Sequence, residues 1–187
     1  LPFLLIFMSK VVLVTGGSSG IGKSIANYLN SKNGFIVYGT SRNIKNLTDV
    51  NFQPLKLDVS SEVSIKKCVD HIIEVHGKID VLINNAGVGI TGPLEEIPIT
   101  EIEKHFKTNL YGPINLIKKV LPYMRIENRG LIINITSIAG HIGTPYRSVY
   151  SAGKSSLDII SETLSMEVKY FNIDVVSIAP GDYLTDI

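Results

Sequence analysis

Tyr150 and Lys154 stand four residues apart at the start of a run of helical period, residues 151–170, so their side chains share one face about a turn apart. A free tyrosine ionises near pH 10, and bringing that value to about 7 takes about 4 kcal/mol of preference for the phenolate. A neighbouring ammonium supplies part of it. A tyrosine so placed can give a proton to a carbonyl oxygen or take one from an alcohol. Tyr-x-x-x-Lys also occurs in ordinary helices, where the tyrosine packs and the lysine is solvated, so the pair gains its meaning from its company. Ser137 follows an apolar run in Asn134-Ile135-Thr136-Ser137, where its hydroxyl can hold a substrate oxygen in reach of Tyr150. The plainer reading is that Ser137 caps backbone in a turn.

A second constellation is built for phosphate. Thr15-Gly16-Gly17-Ser18-Ser19-Gly20-Ile21-Gly22 leaves the first apolar run and opens an amphipathic stretch. Gly16, Gly20 and Gly22 permit a tight turn, close approach of backbone to a pyrophosphate, and close contact between helix and strand. The helix start offers unpaired amides and a partial positive charge to the phosphates, with Ser18, Ser19 and Ile21 in the same loop. In dinucleotide folds an acidic residue at the end of the second strand binds the adenosine ribose hydroxyls, and an arginine accommodates a 2′-phosphate. Here that place reads Gly39-Thr40-Ser41-Arg42, with no carboxylate. A phosphate beside Arg42 gains charge-assisted hydrogen bonds, which favours NADP, with NAD as the alternative if Arg42 is only a solvated loop residue.

These residues need a frame that brings them to one edge. β-Branched runs at 11–14, 35–39, 54–57, 81–84, 131–135 and 175–178 alternate with helical periodicity at 21–30, 63–75, 100–124 and 151–170. The pattern predicts an α/β fold, a doubly wound parallel sheet with helices on both faces. The second crossover, 43–52, is short and polar and carries the weakest helical signal. Asn109 interrupts the 100–124 run with a residue that prefers local backbone bonds, which predicts a break there. Ligands of such sheets bind beyond the carboxyl ends of the strands, which is where the residues above lie.

In these features the chain resembles the short-chain dehydrogenase/reductase family, whose glycine pattern is Thr-Gly-x-x-x-Gly-x-Gly. The likeness runs from about Lys10 to the last residue. Four further matches carry it in order: Asp58 after the third strand, Asn84-Asn85-Ala86-Gly87 after the fourth, Tyr150-x-x-x-Lys154, and Pro180-Gly181 after the sixth. The resemblance implies hydride transfer between NADP(H) and an alcohol or carbonyl substrate, with Tyr150 as general acid and base, Ser137 orienting the substrate oxygen, and Lys154 also binding the nicotinamide ribose. It implies that Asn109 holds a water linking the lysine to solvent, that Asp58 accepts from the adenine amino group with Val59 packed nearby, and that Asn85, Ala86 and Gly87 line the adenosine ribose. Pro180 and Gly181 would contact the nicotinamide end, and Thr185 its carboxamide or a phosphate. Asn84 would tie neighbouring strands together. The 100–124 and 151–170 helices would pair across a two-fold axis, giving a homo-oligomer, a dimer or tetramer. Val88 to Gly92 and His141 to Ser148 would remain for the substrate, with Tyr146 and Arg147 shaping an aromatic or anionic subsite, and His141 either there or bonded within its loop.

Bulk properties narrow the field. The 187 residues, 44% hydrophobic, suffice for one sizeable core. Lysine and arginine number 18 against 17 acidic residues, a formal charge of +1 without like-charge blocks, which argues against nucleic acid. Cys68 is the only cysteine, has no metal-ligand spacing around it, and reads as core packing; no metal site is expected, and a reducing, cytoplasmic setting is. Residues 1–7 are apolar but too short to span a membrane, so no membrane partner is expected; with Met8 a plausible initiator, they read as an upstream extension before a single domain, 8–187. Family members continue past the position of Ile187, so an incomplete chain is expected, with the sixth strand left as a bare edge. The competing readings are a dinucleotide-binding protein without turnover and a non-functional fragment.

Overall fold

Val11 to Val14 are all buried, which consecutive strand residues achieve only where helices cover both faces of the sheet. The computed structural model, which describes residues 9–182, places them in β1 (Lys10–Val14) inside a parallel six-stranded sheet. β2 (Phe35–Ser41), β3 (Gln53–Lys56), β4 (Val81–Asn84), β5 (Gly130–Ile135) and β6 (Ile173–Ile178) complete it, in the order β3-β2-β1-β4-β5-β6. The predicted extension 1–7 and Thr185 lie outside the described residues.

Alternation along β1 divides the core. Val11 and Leu13 meet Ile65, Val69 and Ile72 of α2 (Glu62–His76) and Leu116, Val120 and Met124 of α4 (Gly112–Ile126). Val12 and Val14 face the other way, against Ala26 of α1 (Gly20–Asn30) and the loop residues Leu47 and Phe52. Cys68 packs in the first cluster, and burial pushes its thiol up to about 12, so it is an inert core group. α3 (Ile99–Phe106) and α5 (Ser148–Val168) complete the helices. None is long and apolar enough to cross a membrane.

The second crossover forms only a 3₁₀ turn at Ile44–Asn46, capped by Asn43 Oδ1 accepting from Lys45 N–H at 3.0 Å. The predicted helix at 100–124 is two helices separated by a π-helical turn, Lys107–Tyr111, with Gly112 N–H bonded to Lys107 O. α5 begins three residues earlier than periodicity indicates, so Tyr150 lies within its first turn. At the edges, β3 carries Pro54, which blunts further pairing, while β6 pairs with β5 alone among the described residues and exposes Val176 and Ile178.

The opposite end of the sheet is tied by Asp80. Its Oδ2 accepts from Val11 N–H at 2.8 Å and lies 2.9 Å from Lys78 Nζ, with only 9% of the side chain exposed. Asp80→Ala orphans the Val11 amide and takes the carboxylate from Lys78, which keeps only its bond to Ser9 O, and is expected to cost about 2–3 kcal/mol in urea unfolding without altering ligand binding at the far edge.

Candidate active site

β1 and β4 are neighbours, yet β1 leads to β2 on one side while the chain leaving β4 leads to β5 on the other, so a crevice opens at their carboxyl ends. Thr15 and Asn85 lace its two lips together. Thr15 Oγ1 accepts from the amides of Asn85 and Ala86, each at 2.9 Å, and Asn85 Nδ2 donates to Thr15 O at 2.9 Å. Gly17 N–H donates to Thr40 O at 2.7 Å, fixing the glycine loop to the end of β2.

Gly16 adopts φ +70°, a left-handed conformation, and a Cβ there would come within 2.9 Å of Ala86 Cα. Ser19 occupies the N-cap of α1 but its side chain makes no cap bond, and no acidic residue stands in the first turn. The helix start therefore faces the crevice with amide donors that its own cap leaves unused. Gly22 acts from beneath the loop, where a Cβ would sit 2.2 Å from Gly16 O and 2.3 Å from Asn85 Nδ2. It is buried there and does not line the cleft, and what it provides is the close helix-to-loop contact.

The cleft is about 560 Å³, within the range of small-molecule sites. Gly16, Ser18, Ser19, Gly20 and Ile21 of the glycine loop line it, with Arg42, Asp58, Val59, Asn85, Ala86 and Gly87 from the loops after β2, β3 and β4, and Asn109, Ser137, Tyr150, Lys154, Pro180 and Gly181. Asp58 Oδ1 accepts from Ser60 Oγ at 2.7 Å and Ser60 N–H at 2.9 Å, and these bonds, with Arg42 nearby, hold its carboxyl below the ordinary aspartate range. Asn84 Nδ2 donates to Asn134 Oδ1 at 2.8 Å, joining β4 to β5 as expected of it.

Lys154 is buried, 6% exposed, and its Nζ donates to Ile135 O at 2.8 Å. Desolvation pulls its pKa down to about 8, against the opposing pull of Asp158. Its Nζ lies 5.8 Å from the centre of the Tyr150 ring, and Arg147 Cζ lies 5.6 Å from the same ring. Ser137 Oγ accepts from Ala139 N–H at 3.2 Å, capping the 3₁₀ turn Ile138–Gly140, and Ser137 also lines the cleft. The cap is the plainer reading of this serine, and it leaves the hydroxyl its proton and a second lone pair for another partner. Asn109 is 1% exposed; its Oδ1 accepts from Val88 N–H and its Nδ2 donates to Val88 O, both at 2.9 Å. The π turn presents this amide to the loop after β4 as a strand would.

His105 escaped sequence reasoning. It is 1% exposed on α3, with Nε2 3.5 Å from Asn109 Nδ2 and its ring centre 5.8 Å from that of Tyr150. Burial, and then the Lys154 charge, push its imidazole below the ordinary histidine value. A Cβ on Gly153 would come within 2.9 Å of Nε2, so α5 closes onto this ring at a residue without a side chain. Asn43 and Asn46 were missed as well, since nothing in a short polar crossover marks which amides fold back to the cleft.

Comparison with known proteins agrees with this geometry. The chain is 46% identical over 177 residues to the 3-ketodihydrosphingosine reductase of Bacteroides thetaiotaomicron, covering 94% of this chain and 65% of that protein. It is 34% identical over 189 residues to human retinol dehydrogenase 8, covering 95% and 60%. It thus spans less than two thirds of the length of these relatives. A variant of the actinorhodin polyketide ketoreductase, solved with NADPH, superposes with a TM-score of 0.91 at 32% identity, covering 96% of this chain and 72% of that one. The family described as short chain dehydrogenase matches residues 10–187, the whole span from β1 onward, and the chain belongs to that family.

Proposed function

We infer that the chain is the catalytic body of an NADP(H)-dependent oxidoreductase that interconverts a carbonyl and an alcohol, with Tyr150 as general acid and base. The observation that carries the reading is the convergence of Ser137, Tyr150 and buried Lys154 on the far end of a cleft whose other end has the amide donors and cation a dinucleotide phosphate needs. When bound, the nicotinamide supplies or accepts the hydride. Ser137 holds the substrate oxygen, Tyr150 donates the proton in reduction or takes it in oxidation, and Lys154 stabilises the phenolate. Asn109, its side chain committed to Val88, would hold a water between Lys154 and solvent. A binding protein without turnover has no use for the three groups together.

The loop after β4 and the loop before α5 form the substrate side, tied by Gly92 N–H donating to Tyr146 O at 2.9 Å. They expose Leu94, Ile138, Ile142 and Tyr146, which suits a lipophilic carbonyl compound, as do the keto-lipid and retinol named for the two relatives. Tyr111, Ile126, Ile159 and Met166 are exposed on or beside α4 and α5, where a second copy would pair.

Fluorescence titration with NADPH and NADH, followed by NADPH oxidation against long-chain and short ketones, tests the reading. Saturable NADPH binding and faster turnover of the long-chain ketones are expected; binding of neither nucleotide would overturn it. Arg42→Ala should weaken NADPH by about 10- to 100-fold, the loss of a charge-assisted contact, and leave NADH unchanged. Equal effects on both nucleotides would remove Arg42 from phosphate recognition.

A further inference from the structure

The turn Ile138–Gly140 hangs from Ser137 and rests on the catalytic helix. Gly140 N–H donates to Ser137 O at 2.8 Å, Ala139 N–H to Ser137 Oγ, and Ile138 N–H to Pro180 O at 3.1 Å. On its other side the turn touches α5 backbone to backbone: a Cβ at Gly140 would stand 3.1 Å from Ser155 N and 3.2 Å from Lys154 C. The next residue closes the contact. His141 Nε2 lies 3.0 Å from Asp158 Oδ2, one helical turn beyond Lys154. The Asp158 side chain is only 11% exposed, and its Oδ2 has no well-aligned hydrogen bond, so a carboxylate has been drawn out of water with the His141 imidazole as its polar neighbour. Such a carboxylate is costly to leave alone, which makes the contact a hold on the turn.

We propose that Asp158 is a positioning residue for the active site: paired with His141, it seats the 138–140 turn on α5 and thereby fixes the Ser137 hydroxyl relative to Tyr150 and Lys154. The catalytic part of this rests on the function proposed above; the seating of the turn does not. Nothing bonds the turn to α5 by side chain at Gly140, so a lifted His141 carries with it the residues that bond Ser137 and Pro180. Asp158 also acts on Lys154 directly, but His141 reaches Lys154 only through this seat, and that separates the two effects.

The test uses Asp158→Asn, His141→Ala, their combination, and His141→Arg, which places a permanent cation beside Asp158. With a ketone that the full chain reduces, each of the first two should lower kcat by about 10- to 100-fold, as misplacement of a catalytic group does, with NADPH affinity unchanged. The double variant should lose little beyond Asp158→Asn alone, and His141→Arg should keep most of the wild-type rate. Unchanged kcat in His141→Ala, or losses that multiply in the double variant, would overturn the proposal. Hydrogen exchange at the amides of Gly140 and His141 reads the seat without turnover. Exchange faster by about 10-fold in both single variants, with β1 and β4 unaltered, supports it, and unaltered exchange at these amides refutes it even if no ketone is reduced.

Discussion

Tyr150→Phe is expected to lower turnover by about 10²- to 10⁴-fold, the range that a positioned general acid supplies, while the protein stays folded and still binds NADPH. The ring packs against His105, with its centre 5.8 Å away, and has Arg147 Cζ at 5.6 Å and Lys154 Nζ at 5.8 Å from its centre. Phenylalanine keeps all of that packing and removes only the phenolic oxygen. The unfolding midpoint should therefore match the wild type, and the nucleotide affinity should shift little. The decisive comparison is single-turnover NADPH oxidation with a reducible ketone: a variant that keeps the wild-type rate would take the proton transfer away from Tyr150.

Lys154→Met should abolish efficient reduction and at the same time make the protein more stable at neutral pH. Burial pulls the Lys154 ammonium from its ordinary value of 10.5 to about 8, a penalty of about 3 kcal/mol that the folded state carries wherever the lysine is charged in both states. Methionine fills the space without that penalty but orphans Ile135 O, which offsets about 1 kcal/mol. A net gain of about 2 kcal/mol at pH 7 follows. Because the folded value is depressed, the unfolded chain binds the extra proton between about 8 and 10.5, and wild-type stability rises with pH through that window. The advantage of Lys154→Met should accordingly shrink from pH 8 upward and be gone by 10.5. Urea unfolding at pH 7 and pH 10 measures both ends, and a gap that does not narrow would mean that Lys154 is solvated. The same titration removes the cation beside Tyr150, so reduction should decline as pH rises through about 8.

Much of this protein is written locally. Consecutive apolar residues at 11–14 specify a strand covered on both faces, and the glycines that follow specify a turn that only residues lacking Cβ can make, with Gly22 under Gly16 O the tightest instance. The glycine loop, Arg42, Ser137, Tyr150 and Lys154 were legible because each stands just after a strand or at a helical spacing, and such spacing is a property of the chain itself. Even the break at Asn109 showed, since an asparagine in an apolar helical run competes for backbone; that the break is a π turn did not, because the turn answers to Val88, 21 residues away.

Tertiary structure decided the rest, for one physical reason: the groups concerned meet across the fold, and their state depends on who surrounds them. His105 reads as an ordinary helical residue until α5 closes on it through Gly153. Asp158 reads as a solvated charge until the turn after Ser137 brings His141 to it, and Lys154 keeps an ordinary lysine pKa until burial removes its water. Sequence by itself determined the order of strands and helices, the edge of the sheet where the cleft opens, and the side chains that line it. Packing alone determined how dry that edge is, which charges share it, and what holds Ser137 and Lys154 in place, because desolvation and contact are set by neighbours that the chain supplies from distant positions.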